Sequence, residues 1–221
     1  MLETVPVDGC FVGQNHRKEG NSMREETRTR KLYQFDELSE AAQEKALEIL
    51  SDVNFFDDWS EFTTDEFKDF LEVIGVADPI ISFSGFASQG DGLSFTGIYS
   101  YAKGGRKEAA ETHTGLYMKC RDEIRTIFNL QKKYFYKLEG KINRTSHHYS
   151  HKNTVTFDMY DRLEVKDFSA VEEELQEAFR GIMQEMYRML EAEYDYLSSR
   201  DAIKESIDAN GYEFTEEGVL A

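Results

Sequence analysis

From Phe168 to Leu197, apolar residues fall at 168, 171, 175, 179, 182, 186, 190, 194 and 197, so every step is three or four residues. An α-helix turns once in 3.6 residues, and this spacing draws one unbroken apolar stripe along a single helix. At 1.5 Å per residue such a helix is roughly 45 Å long. Its stripe has to be covered by the rest of the chain or by a second copy in a homodimer. "SRDAIKESIDANG" adds a short helix that stops at Asn210 and Gly211.

The front of the chain repeats the helical period. Ser39 is the N-cap of a helix with Ala42, Ala46, Leu47, Leu50 and Val53 on its apolar side. A second helix over 59–74 carries Trp59, Phe62, Phe67, Phe70, Leu71 and Ile74 and ends at Gly75. "PIISFSGF" and "LSFTGIYSY" switch to period two and predict an antiparallel hairpin. Further strands are expected at 27–35, 134–142 and 147–161, with a basic connection at 102–115. Residues 116–133 read as a helix, although their content also tolerates a strand. The order does not alternate as a doubly wound fold would. It predicts an α+β fold: an antiparallel sheet of four or five strands covered on one face by amphipathic helices. Residues 1–28 read as a flexible N-terminal extension, with Met23 as an alternative start, and 29–221 as a single domain.

Charge is uneven within a net −17. Residues 36–78 and 153–221 carry −12 each, whereas 101–152 carry +7. A cationic centre on an acidic body suits one specific anion and disfavours direct binding of nucleic acid. Cys10 and Cys120 have neither disulfide-framework nor zinc-finger spacing. No signal peptide is expected from the first residues, and the sequence holds no apolar run long enough to cross a membrane. The cytoplasm is the expected compartment, and no cofactor is indicated.

Two stretches carry chemistry. "SGFASQGDG" (84–92) holds three glycines, Gly85, Gly90 and Gly92, which let backbone approach a ligand. Ser84, Ser88, Gln89 and Asp91 supply hydroxyl, amide and carboxylate groups at the same place. The loop lacks the features of a P-loop or dinucleotide fingerprint, and a wide hairpin capped by its own Asp and Ser is the plainer alternative. "TSHHYSHKN" (145–153), read as a strand, puts His147, Tyr149 and His151 on one face and His148 on the other. The two imidazoles could contact an anion, or hold a divalent metal with Asp91 or Asp158. "KKYFYK" (132–137) reads as a stacking platform or as core with lysines at its rim. HExxH and GxSxG are absent from the sequence.

The blocks "YQFDELSEAAQEKALEIL", "FSGFASQGDGLSFTG", "HHYSHKNTVTFDM" and "YLSSRDAIKESIDANGYEFTEEG", in that order, resemble a family of small bacteriophage and prophage proteins, some labelled antitoxins of toxin–antitoxin systems. The resemblance runs from about residue 29 to the end. Members usually have tryptophan where this chain has Ala87. It implies a phage-encoded accessory factor acting in the cytoplasm of an infected bacterial host. Three functions follow as expectations. The first is a binding protein that neutralises a host defence or toxin, through a host protein or a small nucleotide-like anion. In it Ser84, Gly85, Ser88, Gln89, Gly90, Asp91 and Gly92 meet His147, Tyr149 and His151, and Arg106 and Lys107 add positive charge. The second is a small metal-dependent phosphodiesterase or nuclease using His147, His151 and Asp91. The third is an acidic nucleic-acid mimic.

Overall fold

The four strands run in sequence order across one antiparallel sheet: β1 (Val76–Phe83), β2 (Leu93–Tyr99), β3 (Gly140–Arg144) and β4 (Val155–Met159). The structure is a computed structural model and describes residues 30–55, 59–145, 149–160 and 168–221. Among the described residues seven α-helices accompany the sheet: α1 (Glu40–Ile49), α2 (Glu61–Val73), α3 (Gly105–Thr112), α4 (Thr114–Lys119), α5 (Arg121–Lys133), α6 (Phe168–Leu197) and α7 (Arg200–Asn210). The architecture is α+β. Leu32–Ala221 forms one compact unit.

Strand register sorts side chains onto two faces. Ile81 opposes Phe95, Phe83 opposes Leu93, and Ile142 opposes Phe157, all on the inner face. The outer face carries Ser82 opposite Ser94 and Lys141 opposite Asp158. α6 lies on the inner face with Val171, Leu175, Phe179, Ile182, Met183, Met186 and Leu190 buried. The Phe179 ring meets Phe95, Tyr99 and Phe157 at centroid distances of 6.2, 5.1 and 5.4 Å.

α6 also closes the free edge of the sheet. β4 pairs with β3 on one side only, so its outer backbone groups need partners. Glu172 accepts from the Met159 N–H at 2.8 Å and Gln176 from the Phe157 N–H at 3.1 Å, while Arg180 donates to the Val155 carbonyl at 3.2 and 2.7 Å. These residues stand four apart on one side of the apolar stripe, so successive helical turns reach alternate strand residues.

A smaller core sits apart from this one. It is built by Phe35, Leu38, Ala42, Ala46 and Leu47 from the front of the domain and Ile203, Ile207 and Phe214 from its end. Ser39 and Ser199 cap α1 and α7 by accepting from the Ala42 and Ala202 N–H groups.

Four sequence expectations change. Of the strand at 27–35, residues 27–29 lie outside the described ones, and Tyr33 makes only an isolated bridge to Phe214. The connection at 102–115 contains α3, entered through Gly104 at φ +87°. The strand at 134–142 begins only at Gly140, because Phe135 and Tyr136 take φ of +56° and +61° and turn the chain. Of the strand at 147–161, residues 147, 148 and 161 lie outside the described ones, and among the rest only β4 is strand, since a 3₁₀ turn over Lys152–Thr154 precedes it.

Cys120 is fully buried and not disulfide-bonded. Burial, then the Glu123 and Glu185 carboxylates, push its thiol far above the ordinary range, which holds it protonated and unreactive. In the native protein Cys120 is expected to resist iodoacetamide at mildly alkaline pH and to alkylate only on denaturation, as read by peptide mass spectrometry. Phe179→Ala is expected to lower unfolding free energy by about 3–5 kcal/mol, measured by chemical denaturation.

Candidate functional site

The hairpin loop opens where β1 and β2 stop pairing. Ser84 N–H donates to the Gly92 carbonyl at 3.0 Å and closes its base. Asp91 then organises the interior: one carboxylate oxygen accepts from the Ala87 N–H at 3.0 Å and the Ser88 N–H at 2.6 Å, and Asp91 N–H donates to the Ser88 carbonyl at 3.0 Å. An Asp that bonds its own loop backbone is a local turn device. Phe86 drives the loop down onto α6, lying 4.9 Å from the Tyr194 ring, 5.5 Å from Tyr187 and 6.3 Å from Trp59. Tyr187 donates its hydroxyl to the Gly85 carbonyl at 2.9 Å. Burial and the nearby Glu191 and Asp91 carboxylates raise the Tyr187 pKa, so it stays a donor.

The histidine segment meets this loop from the other hairpin. A Cβ on Gly92 would lie 2.8 Å from His151 Cδ2, and one on Gly90 would lie 3.1 Å from the Tyr149 ring. At Gly92 a side chain would collide with His151, whereas at Gly90 it would only press on the exposed Tyr149 ring. His151 Nδ1 accepts from the Asn153 N–H at 3.1 Å, which puts the proton of the neutral ring on Nε2. Asp91, Gly92, His151, Lys152, Gln184 and Tyr187 border a cavity of about 170 Å³, floored by Leu93 and Met183. The Ser84 and Ser94 hydroxyls of the hairpin are buried and, among the described residues, have no hydrogen-bond partner, but neither lines this cavity.

Ser84, Gly85, Gly90, Asp91, Gly92, Tyr149 and His151 thus share one neighbourhood. Ser88 and Gln89 sit at the exposed loop tip, with Ser88 engaged through its backbone. Arg106 and Lys107 do not join them. They open α3, beyond the far end of β2, a strand length of roughly 20 Å away. His147 lies outside the described residues. His151 precedes β4 rather than belonging to it, so the shared strand face proposed for His147 and His151 loses its basis. Among the described residues no group of three or more His, Cys, Asp or Glu side chains is placed to hold a metal ion. Lys152, Gln184 and Tyr187 were not anticipated. Lys152 is the sequence neighbour of His151, whereas Gln184 and Tyr187 only flank the apolar stripe of α6.

Residues 59–200 match the family model described as Domain of unknown function (DUF8835). The chain belongs to the DUF8835 family. The match spans well over half of the chain, from α2 to the end of α6, and so includes every described residue around the loop cavity. The smaller core of this DUF8835 protein, from Phe35 to Leu47 and from Ile203 to Phe214, flanks the matched region. No curated protein and no solved structure matches the chain.

Asp91→Ala removes the acceptor for two backbone N–H groups. It is expected to speed hydrogen exchange at Ala87 and Ser88 while changing global stability by only about 1 kcal/mol, measured by exchange mass spectrometry beside denaturation.

Proposed function

We propose that this protein is a bacteriophage-encoded accessory factor that acts by binding, neutralising a bacterial defence or toxin system in the cytoplasm of the infected host. Its small-ligand site is the meeting of the 84–92 loop with His151 and Lys152, and the ligand is the phosphate end of a small nucleotide-like anion. One observation carries the reading: two segments far apart in sequence close on each other around a single polar cavity of about 170 Å³. Lys152 and the His151 ring supply positive charge and a donor there. One Asp91 oxygen is already engaged by loop N–H groups, which offsets part of its negative charge. The volume suits a phosphate group better than a whole base, because drug-sized ligands occupy roughly 300 Å³ or more.

A second reading, the acidic mimic, has its own observation. Asp122 and Glu123 on α5 face Glu173, Glu174 and Glu177 on α6 across a groove of about 550 Å³. A partner held through charge number would be lost steeply with salt and would ignore the loop.

Native mass spectrometry of the protein from bacterial cells tests the first reading. Wild type is expected to keep a small-molecule adduct, and the His151→Ala, Lys152→Ala double variant to lose it. A bare chain mass for both would overturn the small-anion site. A metal adduct in the wild type would point instead to a phosphodiesterase.

A further inference from the structure

At the opposite end of β2 from the loop, the chain builds a second cleft. Tyr101, Gly104, Arg106, Lys107, Tyr117 and Phe128 line a volume of about 360 Å³, within the range of small-molecule sites. Its walls are aromatic: Tyr101 meets Phe128 at 6.2 Å, edge to face, and is backed by Tyr136 at 4.5 Å.

That wall is held in place from the core. Phe135 and Tyr136 both take left-handed φ, a conformation that bulky side chains rarely adopt and that persists only when its surroundings enforce it. Here Gln131 enforces it. Its fully buried amide donates to the Leu138 carbonyl and the Tyr99 hydroxyl and accepts from the Leu138 N–H at 3.2 Å. The turn between α5 and β3 is thereby pinned at its far side, and Tyr136 is set against Tyr101 in advance of any ligand.

The charge in the cleft is uncommitted. Arg106 is half-buried, and its Nε donates only to the Tyr117 hydroxyl at 3.5 Å. Among the described residues it has no carboxylate partner, in a chain with 43 acidic residues. Lys107, with its side chain 82% exposed, makes one loose pair with Glu111 at 3.6 Å. A guanidinium in an aromatic-lined cleft, within the +7 segment 101–152, matches a ligand that joins a planar ring to a phosphate.

We infer that this cleft binds a nucleoside monophosphate, its base stacked on the Tyr101 and Phe128 wall and its phosphate held by Arg106 and Lys107. The site is independent of the loop cavity, being a strand length away from it.

Isothermal titration of the full chain with AMP, adenosine and inorganic phosphate tests this, with ¹³C-labelled tyrosine and phenylalanine observed by NMR. AMP is expected to bind at least roughly tenfold more tightly than either fragment and to shift the Tyr101, Tyr117 and Phe128 resonances. Arg106→Gln is expected to weaken AMP roughly tenfold. Lys107→Gln, at an exposed position that cannot unfold the chain, is expected to weaken it a few-fold. In the His151→Ala, Lys152→Ala variant the AMP-induced shifts of Tyr101, Tyr117 and Phe128 should titrate with wild-type affinity, whatever heat the loop cavity adds or loses, which separates this site from the loop cavity. Absence of shifts at Tyr101, Tyr117 and Phe128 at millimolar AMP would overturn the inference whether or not heat is seen, as would shifts whose AMP dependence is indifferent to both the Arg106 and Lys107 changes. Tighter, steeply salt-dependent binding of an oligothymidylate would overturn it in favour of a strand-binding surface.

Discussion

Everything in the larger core depends on the contact between α6 and the inner face of the sheet. A helix of 30 residues with one apolar stripe cannot stand in water, and a four-stranded meander with one apolar face cannot either. Each is the solvent shield of the other. Glu172, Gln176 and Arg180 add a second role, bonding the outer backbone of β4 so that the edge strand does not present free N–H and C=O groups to another chain. Because α6 also supplies Met183, Gln184 and Tyr187, the element that closes the core also closes the loop cavity.

Two irregular turns are held by single polar side chains. Asp91 caps the 84–92 loop from within, at the surface, while Gln131 pins the 134–138 turn from a fully buried position. The difference matters energetically. An exposed carboxylate on backbone N–H groups competes with water, so its net worth is small. A buried amide has no water to fall back on, so the turn it satisfies is much more strongly specified. The consequence is one loop that can loosen locally and one aromatic wall that cannot.

The charge segregation follows the same architecture. Acidic faces of α1, α2, α6 and α7 surround the outside, and the positive segment 101–152 includes both the α3 cleft and the His151–Lys152 turn. An acidic body repels polyanions in bulk, while local cations with few carboxylate partners remain open to a small one.

Much of the fold is legible in the sequence, because helical period, caps and strand alternation are local properties. The 168–197 stripe, the Ser39 cap, the 83–93 hairpin and the stop at Gly211 all lie where short-range spacing puts them. Residues 134–138 misled because an aromatic, alternating stretch looks like strand until a buried Gln131 bends it. The site was legible only in part. The loop and His151 could be picked out by residue type, but Arg106 and Lys107 were grouped with them on charge alone and lie at the other end of β2. What the sequence determined by itself is the long apolar stripe of α6, the helices α1, α2 and α7, and the β1–β2 hairpin. Only the tertiary structure decided that Asp91, His151, Lys152 and Tyr187 meet, and that Arg106 faces Tyr117 instead. Strand register and helix placement bring distant residues together, and neither is encoded in the spacing of any one segment.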